Sequence, residues 1–192
     1  MASDSLAVVL RHPQWRLPNV SITSDAFERL ADVADRLPAD AIDGTILECR
    51  LTADDTRVDL AISIGHLPQR AQVFAHAART AADRDAWTRI VELMRIWPDV
   101  FWLEFDLASA PTPDLPLPSV FFRLPFETVD GEKVIAANGP SRAIGTLEYL
   151  HGAPLDPQVR ATIATALAHV PRGVRIHQIG AMLPRGGDRV RL

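Results

Sequence analysis

Two carboxylates that stand two residues apart, Glu104 and Asp106, come closest in this chain to a catalytic pattern. In the segment V-F-W-L-E-F-D-L at 100–107 they would share one face of an extended strand. If partial burial raised the pKa of one member, the pair could divide the roles of general acid and general base. It could also bind a divalent cation through oxygen ligands. The favoured alternative is a solvent-facing strand whose acids pair with Arg123 or Arg50.

His177 is the third candidate catalytic residue, and Trp102 is a candidate ligand contact beside the two acids. Trp102 shares the predicted face with the acids, and an exposed indole on a sheet is unfavourable unless a ligand or a packed helix covers it. His177 lies in a predicted strand and shares a face with Arg175, although a lone histidine in a strand is more often structural. No two of the six histidines stand at the tight spacing of a metal pair, so no metal is predicted.

Composition and charge narrow the classes of function. The formal net charge of −4 and the dispersed basic residues argue against general nucleic-acid binding. No stretch approaches the roughly 20 apolar residues that cross a bilayer, and an acid near the N-terminus argues against a secretory signal, so the expected location is the cytoplasm. The common nucleotide, dinucleotide, zinc-protease and serine-hydrolase motifs are absent, and no cofactor is predicted. The single cysteine, Cys49, is expected to be a buried thiol.

Hydrophobic periodicity predicts the elements that position these residues. Apolar residues at helical spacing, between capping residues and a proline or glycine, predict four amphipathic helices at 24–37, 84–97, 140–151 and 156–170. Residues 65–80 are ambiguous between a helix and a strand. Alternation of apolar and polar residues predicts strands at 6–10, 45–51, 57–64, 100–107, 119–124, 174–183 and 189–192, with a small hairpin at 126–128 and 133–136.

The predicted fold is a single α+β domain over residues 1–192. A mainly antiparallel sheet of five to seven strands would carry about four amphipathic helices, mostly on one face, because a two-layer sandwich buries the one apolar surface of each element. Pairing 45–51 with 57–64 would bring charged side chains together on the other face. That predicted polar face consists of Glu48, Arg50, Asp59, Ser63, Trp102, Glu104, Asp106, Arg123 and His177.

Two classes of function stay open. The favoured class is a non-catalytic binding or accessory module that holds a peptide, a partner subunit or a small molecule on the polar face. The alternative is a cofactor-independent enzyme in which Glu104 and Asp106, with His177, perform acid–base chemistry on a small anionic substrate. No nucleophile and base can be paired from the sequence, which favours the first class. Its ligand contacts would be Trp102, Arg123, Arg50 and Asp59.

The end of the sequence carries a further expectation about partners. The last residue, Leu192, is apolar, whereas chain termini usually fray in polar residues. Two explanations stay open: the chain is a portion of a longer polypeptide or assembly, or its last strand pairs with a partner subunit or a second copy. Nucleic acid and membrane are not expected among the partners.

Overall fold

The described residues form six α-helices and eight β-strands, and their strand pairs are antiparallel. The predicted α+β class with mainly antiparallel strands is therefore confirmed. The chain divides into two compact units, Met1–Pro118 and Ser119–Leu192. No helix in the described part of the chain is both long and apolar enough to cross a bilayer. The structure is a computed structural model that describes residues 5–11, 24–49, 58–65, 68–97, 99, 101–107, 114–129, 132–171, 174–186 and 189–191.

In the first unit, a three-stranded antiparallel arrangement is combined with helices. β2 lies between β1 and β3. Short 3-10 turns follow the second and third helices, at Ala39–Ala41 and Ala78–Thr80. The elements are α1 (Leu6–Leu10), α2 (Ser24–Ala34), β1 (Gly44–Cys49), β2 (Val58–Ile64), α3 (Pro68–Ala77), α4 (Arg84–Ile96) and β3 (Phe101–Asp106).

Helix α4 packs along the apolar face of β3. Trp87 stacks on Phe105 with the ring centroids 6.4 Å apart. Trp97, at the end of the helix, meets Phe101 edge-on at the same centroid distance of 6.4 Å. All four rings are buried, and so is Met94 on the same stripe of the helix. The tryptophan and methionine stripe of α4 is therefore part of the core.

Two arginines connect the α2 region to the chain that follows β3. Arg29 donates a hydrogen bond from Nε to the carbonyl of Leu107 at 3.1 Å. Arg36 donates from Nη1 to the carbonyl of Asp114 at 2.8 Å and binds the carboxylate of Asp32 through Nη2. These bonds hold α2 and the segment after β3 together within the first unit.

Two helices of this unit differ from the sequence prediction. Residues 6–10, predicted as a strand, form α1 because Leu6 and Leu10, one helical turn apart, are both buried. The ambiguous segment 65–80 contains α3, in which Ala71 and Phe74 are buried at helical spacing. Proline is well tolerated in the first turn of a helix, which is where Pro68 stands. These two helices raise the number from the predicted four to six in the described residues.

The second unit combines a short sheet, a separate hairpin and two helices. In the short sheet β7 (Ile179–Ala181) lies between β4 (Ser119–Phe122) and β8 (Val190–Arg191). In the described residues β5 (Phe126–Val129) pairs only with β6 (Glu132–Ile135). α5 (Gly139–His151) is followed by Gly152 in the left-handed conformation, and a 3-10 turn occupies Leu183–Arg185. The elements are β4 (Ser119–Phe122), β5 (Phe126–Val129), β6 (Glu132–Ile135), α5 (Gly139–His151), α6 (Pro157–Ala168), β7 (Ile179–Ala181) and β8 (Val190–Arg191).

The strand predicted at 174–183 is much shorter than expected. Only Ile179–Ala181 form a strand, and they pair with three residues of β4. Because β4 has only four residues, it offers few hydrogen-bond partners to a neighbouring strand. Residues 174–178 are irregular despite their strand-like pattern.

Candidate functional site

The register of β1–β3 brings the predicted acidic residues onto one face. Glu48 lies opposite Asp59, and Asp59 lies opposite Asp106, so three carboxylates form one row across the three strands. Glu104 lies in the next row, opposite Ala61. Directly opposite residues of an antiparallel pair share a face, so the predicted grouping of these side chains agrees with the register.

The side chains at the centre of this acidic face are buried. Asp59 is 2 % exposed and Glu104 is 6 % exposed, whereas Glu48 is exposed and Asp106 and Trp102 are half-buried. The solvent-facing strand expected for Glu104 and Asp106 is therefore wrong at Glu104, because alternation reports which side chains share a face and not whether that face meets water. Asp59, Glu104 and Asp106 each take part in an interaction within the chain.

The other predicted site residues are Arg50, Arg123 and His177. Arg50 lies outside the described residues, as does the side chain of Cys49. In the second unit, Arg123 directly follows β4 and is half-buried, whereas His177 is exposed. His177 lies in the irregular segment before β7, so its predicted place in a strand is wrong. Across the described residues, no group of three or more histidine, cysteine, aspartate or glutamate residues is arranged to hold a metal ion.

The second unit contains a groove of about 580 Å³ that the sequence analysis did not predict. A volume of this size falls within the range of roughly 300–1,000 Å³ that is typical of ligand sites. One wall is α6 and the other is the chain from the end of β7 to β8. The lining residues are Gln158, Val159, Thr162, Ile163, Met182, Arg185, Arg189, Val190 and Arg191.

The helical wall of the groove follows from the start of α6. Asp156 caps the helix by accepting hydrogen bonds from the N–H groups of Gln158 and Val159, at 2.8 and 3.3 Å. Residues four apart lie on the same side of a helix, so Gln158 and Thr162 stand one above the other, as do Val159 and Ile163. Ile163 is buried and Val159 half-buried, whereas the two polar residues are exposed. The groove therefore has an apolar base and a polar rim on this side.

The opposite wall includes Arg189 and both residues of β8. Val190 pairs with Ala181, and Met182 donates a hydrogen bond from its N–H to the carbonyl of Arg189 at 2.9 Å. Arg189 therefore occupies a hydrogen-bonded position and Val190 the alternate one. The N–H and C=O of Val190 consequently point away from β7, towards the open edge of the strand.

Arg191 is positioned by an aromatic ring two strands away. Phe121 on β4, Gly180 on β7 and Arg191 on β8 are aligned across the short sheet. The guanidinium of Arg191 lies over the Phe121 ring, 5.9 Å from its centroid. A Cβ atom at Gly180 would overlap that ring. The missing side chain at Gly180 thus lets an aromatic ring support one of the charged walls of the groove.

The charged residues among the described lining residues of the groove are all cationic, although the whole chain has a formal net charge of −4. Three arginines, Arg185, Arg189 and Arg191, line it, and the described lining residues include no carboxylate. The sequence signal for this site is the spacing R-x-x-x-R-x-R at 185–191, within the segment that the sequence predicts as a closing hairpin.

Comparison with known proteins assigns neither a family nor a function to the chain. No protein-family model matches the chain, and neither a curated protein nor a solved structure matches it.

Proposed function

We propose that this chain is a non-catalytic binding module that holds its ligand in the groove between α6 and β8. The observation that carries the proposal is the combination of three arginines with an apolar base in a cavity of about 580 Å³. This keeps the class of function favoured by the sequence pattern and moves the ligand surface from the acidic face to the groove. The acidic face is a weaker candidate because Asp59 and Glu104 at its centre are buried.

The lining chemistry supports a ligand with an anionic part and an apolar part. A guanidinium presents N–H donors in a planar fork that matches carboxylate or phosphate oxygens. Val159, Ile163, Met182 and Val190 supply apolar surface beside these charges. Burial of apolar ligand surface contributes roughly 25 cal/mol per Å², so both parts of such a ligand would add to its affinity.

The same residues support binding rather than catalysis. Guanidinium groups stay protonated at neutral pH and are poor proton acceptors or donors. Thr162 carries the one hydroxyl among the described lining residues, and it donates a hydrogen bond to the carbonyl of Gln158 at 2.8 Å. No described lining residue is a base that would activate that hydroxyl.

The proposal is tested with anilinonaphthalene sulfonate, which joins an anionic sulfonate to aromatic rings and fluoresces when it binds an apolar site. We expect the folded chain to bind this probe and Arg189→Ala to weaken binding about tenfold, since a charge-assisted hydrogen bond contributes about 1.5 kcal/mol or more. Arg175→Ala is the matched control, because Arg175 is exposed in the same unit but does not line the groove. Equal probe binding by the two variants would contradict the proposal.

A further inference from the structure

We infer that the ligand of the groove is an extended acidic peptide segment of another protein, which adds to the edge of β8 as a new strand. This inference rests on the proposed function, since it specifies what the groove holds. It commits to one occupant and to one mode of binding, in which main-chain hydrogen bonds provide affinity and side-chain pockets provide specificity.

The first argument is the geometry of the edge. Among the described residues, β8 pairs with β7 on one side only. The N–H and C=O of Val190 point towards the other side, which is the position from which an antiparallel or parallel neighbour accepts and donates hydrogen bonds. An added strand would lie roughly 4.8 Å from β8. The groove provides this space, since Val190 is one of its lining residues.

The second argument is the pattern of charge along β8. Side chains alternate along a strand, so Arg189 and Arg191 share one face and Val190 has the other. Opposite charges on directly facing residues of neighbouring strands attract one another. An added strand with acids two residues apart would place them opposite the two arginines, with an apolar residue between them on the side of Val190. Arg185 adds a third positive charge to the groove.

The same charges argue against a second copy of this chain at this edge. If β8 paired with β8 of another copy, Arg189 and Arg191 of one copy would face those of the other, and like charges directly opposite are destabilising. A nucleic acid or an anionic bilayer is also disfavoured, because the chain as a whole has a formal net charge of −4. A short acidic peptide makes contact with the groove alone.

The test uses fluorescence anisotropy with a labelled heptapeptide in which glutamate alternates with valine. We expect the full chain to bind this peptide and to bind a lysine–valine peptide of the same length at least tenfold more weakly. Binding should weaken as the salt concentration rises, since the attraction involves charges near the surface. Equal affinity for the two peptides, or a failure to bind either, would overturn the inference.

Two N-methylated forms of the glutamate peptide test the added strand directly. One carries methyl groups on its valine nitrogens and the other on its glutamate nitrogens. Alternate N–H groups of a strand point to opposite edges, so only one of the two sets can face β8. We expect one form to lose at least tenfold in affinity and the other to bind like the unmethylated peptide. If both forms bind as tightly as the parent peptide, no strand is added and the inference is wrong.

Variants of the chain locate the binding site. Arg189→Ala should weaken peptide binding about tenfold and Arg175→Ala should leave it unchanged. Val190→Pro removes the outward N–H, which an edge strand tolerates, whereas Val190→Ala keeps it. We expect the proline variant to bind more weakly than the alanine variant. Thermal unfolding checks that each variant is folded. If the proline variant is not folded, the methylated peptides alone test whether the peptide adds to β8 as a strand.

The outcomes separate this inference from the proposed function. Binding of anilinonaphthalene sulfonate that depends on Arg189, without binding of the peptide, would overturn the peptide inference and leave the binding module in place. Failure of both ligands would overturn both proposals. Tighter binding of anionic vesicles or of an oligonucleotide than of the peptide, or dimerisation abolished by Val190→Pro, would also overturn the peptide inference.

Discussion

The guanidinium of Arg191 lies over the ring of Phe121, 5.9 Å from its centroid, although a whole strand separates the two residues. Gly180 on that intervening strand makes the contact possible, because the Phe121 ring occupies the space where its side chain would be. A cation above an aromatic face gains about 0.5–1 kcal/mol at an exposed site. The arginine is thus held in place before any ligand arrives, which lowers the entropy that binding costs.

Gly180→Ala should destabilise the protein. The added methyl group would overlap the buried Phe121 ring and force the strands or the ring to move, and overpacking of this kind costs about 1–3 kcal/mol. Urea unfolding measures the change. Gly145→Ala is the matched control: a Cβ there has nothing within 4 Å, and alanine in an exposed helix should stabilise by about 0.5–1 kcal/mol. Similar effects of the two substitutions would contradict this account.

Asp156→Ala should weaken the helical wall of the groove. The substitution removes the side-chain acceptor for the N–H groups of Gln158 and Val159, and loss of such a cap typically costs about 1 kcal/mol. Thermal unfolding and binding of anilinonaphthalene sulfonate are the measurements. Asp156→Asn keeps a capping oxygen and should stay close to the wild type. If the asparagine variant were as unstable as the alanine variant, the cap would not be the cause.

Asp59→Ala should destabilise the protein. Asp59 is 2 % exposed and takes part in an interaction within the chain, and a buried polar group that loses its partner costs about 1–3 kcal/mol. Glu48→Ala is the control, because Glu48 lies directly opposite on the same face but is exposed. It should change stability by less than about 0.5 kcal/mol.

Two further variants test the alternative of an acid–base enzyme. Glu104→Gln and Asp106→Asn keep the size of each side chain and remove its charge. We expect both to leave ligand binding in the groove unchanged, since neither residue lines it. Unchanged stability together with loss of binding or turnover would instead assign a functional role to the carboxylate pair.

The ion pair between Asp43 and Arg70 should make part of the stability depend on pH. The hydrogen bond from the Arg70 side chain, at 2.5 Å, holds the pKa of Asp43 in the folded chain below its usual value of 3.8, and the N–H of Gly65 assists. Because the folded pKa is depressed, this contribution is present above the unfolded pKa of Asp43 and is lost as the pH falls through the folded one. Asp43 is 44 % exposed on its side chain, so the contribution is at most about 1 kcal/mol.

Urea unfolding of Arg70→Ala at several pH values tests this dependence. The difference in stability from the wild type should be present near neutral pH. It should shrink below about pH 4, where Asp43 of the unfolded chain takes up a proton, and disappear as the pH falls through the lower folded pKa. Asparagine at position 43 cannot titrate, so Asp43→Asn should lack the contribution of this ion pair to stability at every pH. A difference between wild type and Arg70→Ala that stays constant down to pH 2 would rule out the ion pair as its source.

The sequence pattern predicted which side chains share a face but not which face is covered. Alternation placed Glu48 with Asp59, and Glu104 with Asp106, as the strand register does. Burial of Asp59 depends on what packs over the sheet, and periodicity within one strand contains no information about that. The length of a segment also limits the prediction. The apolar run at 6–10 is too short for its periodicity to distinguish a strand from the helix that forms.

The groove could not be predicted from local patterns for a related reason. Its two walls, at Gln158–Ile163 in α6 and at Arg189–Arg191, are separated by an irregular segment and by β7. Only the tertiary fold brings them together. The three arginines stand within seven residues of one another at 185–191, but a role for them in binding depends on the apolar helix surface that faces them.

The two arginine contacts of the α2 region have a consequence for synthesis of the chain. Arg29 and Arg36 each bind a carbonyl that lies 78 residues later. At about 5–20 residues per second, a ribosome needs roughly 4–16 s to add that many residues. During this interval α2 has left the peptidyl-transferase centre while the oxygens that bind its arginines do not yet exist. These two contacts can therefore form only after β3 and Asp114 have been made.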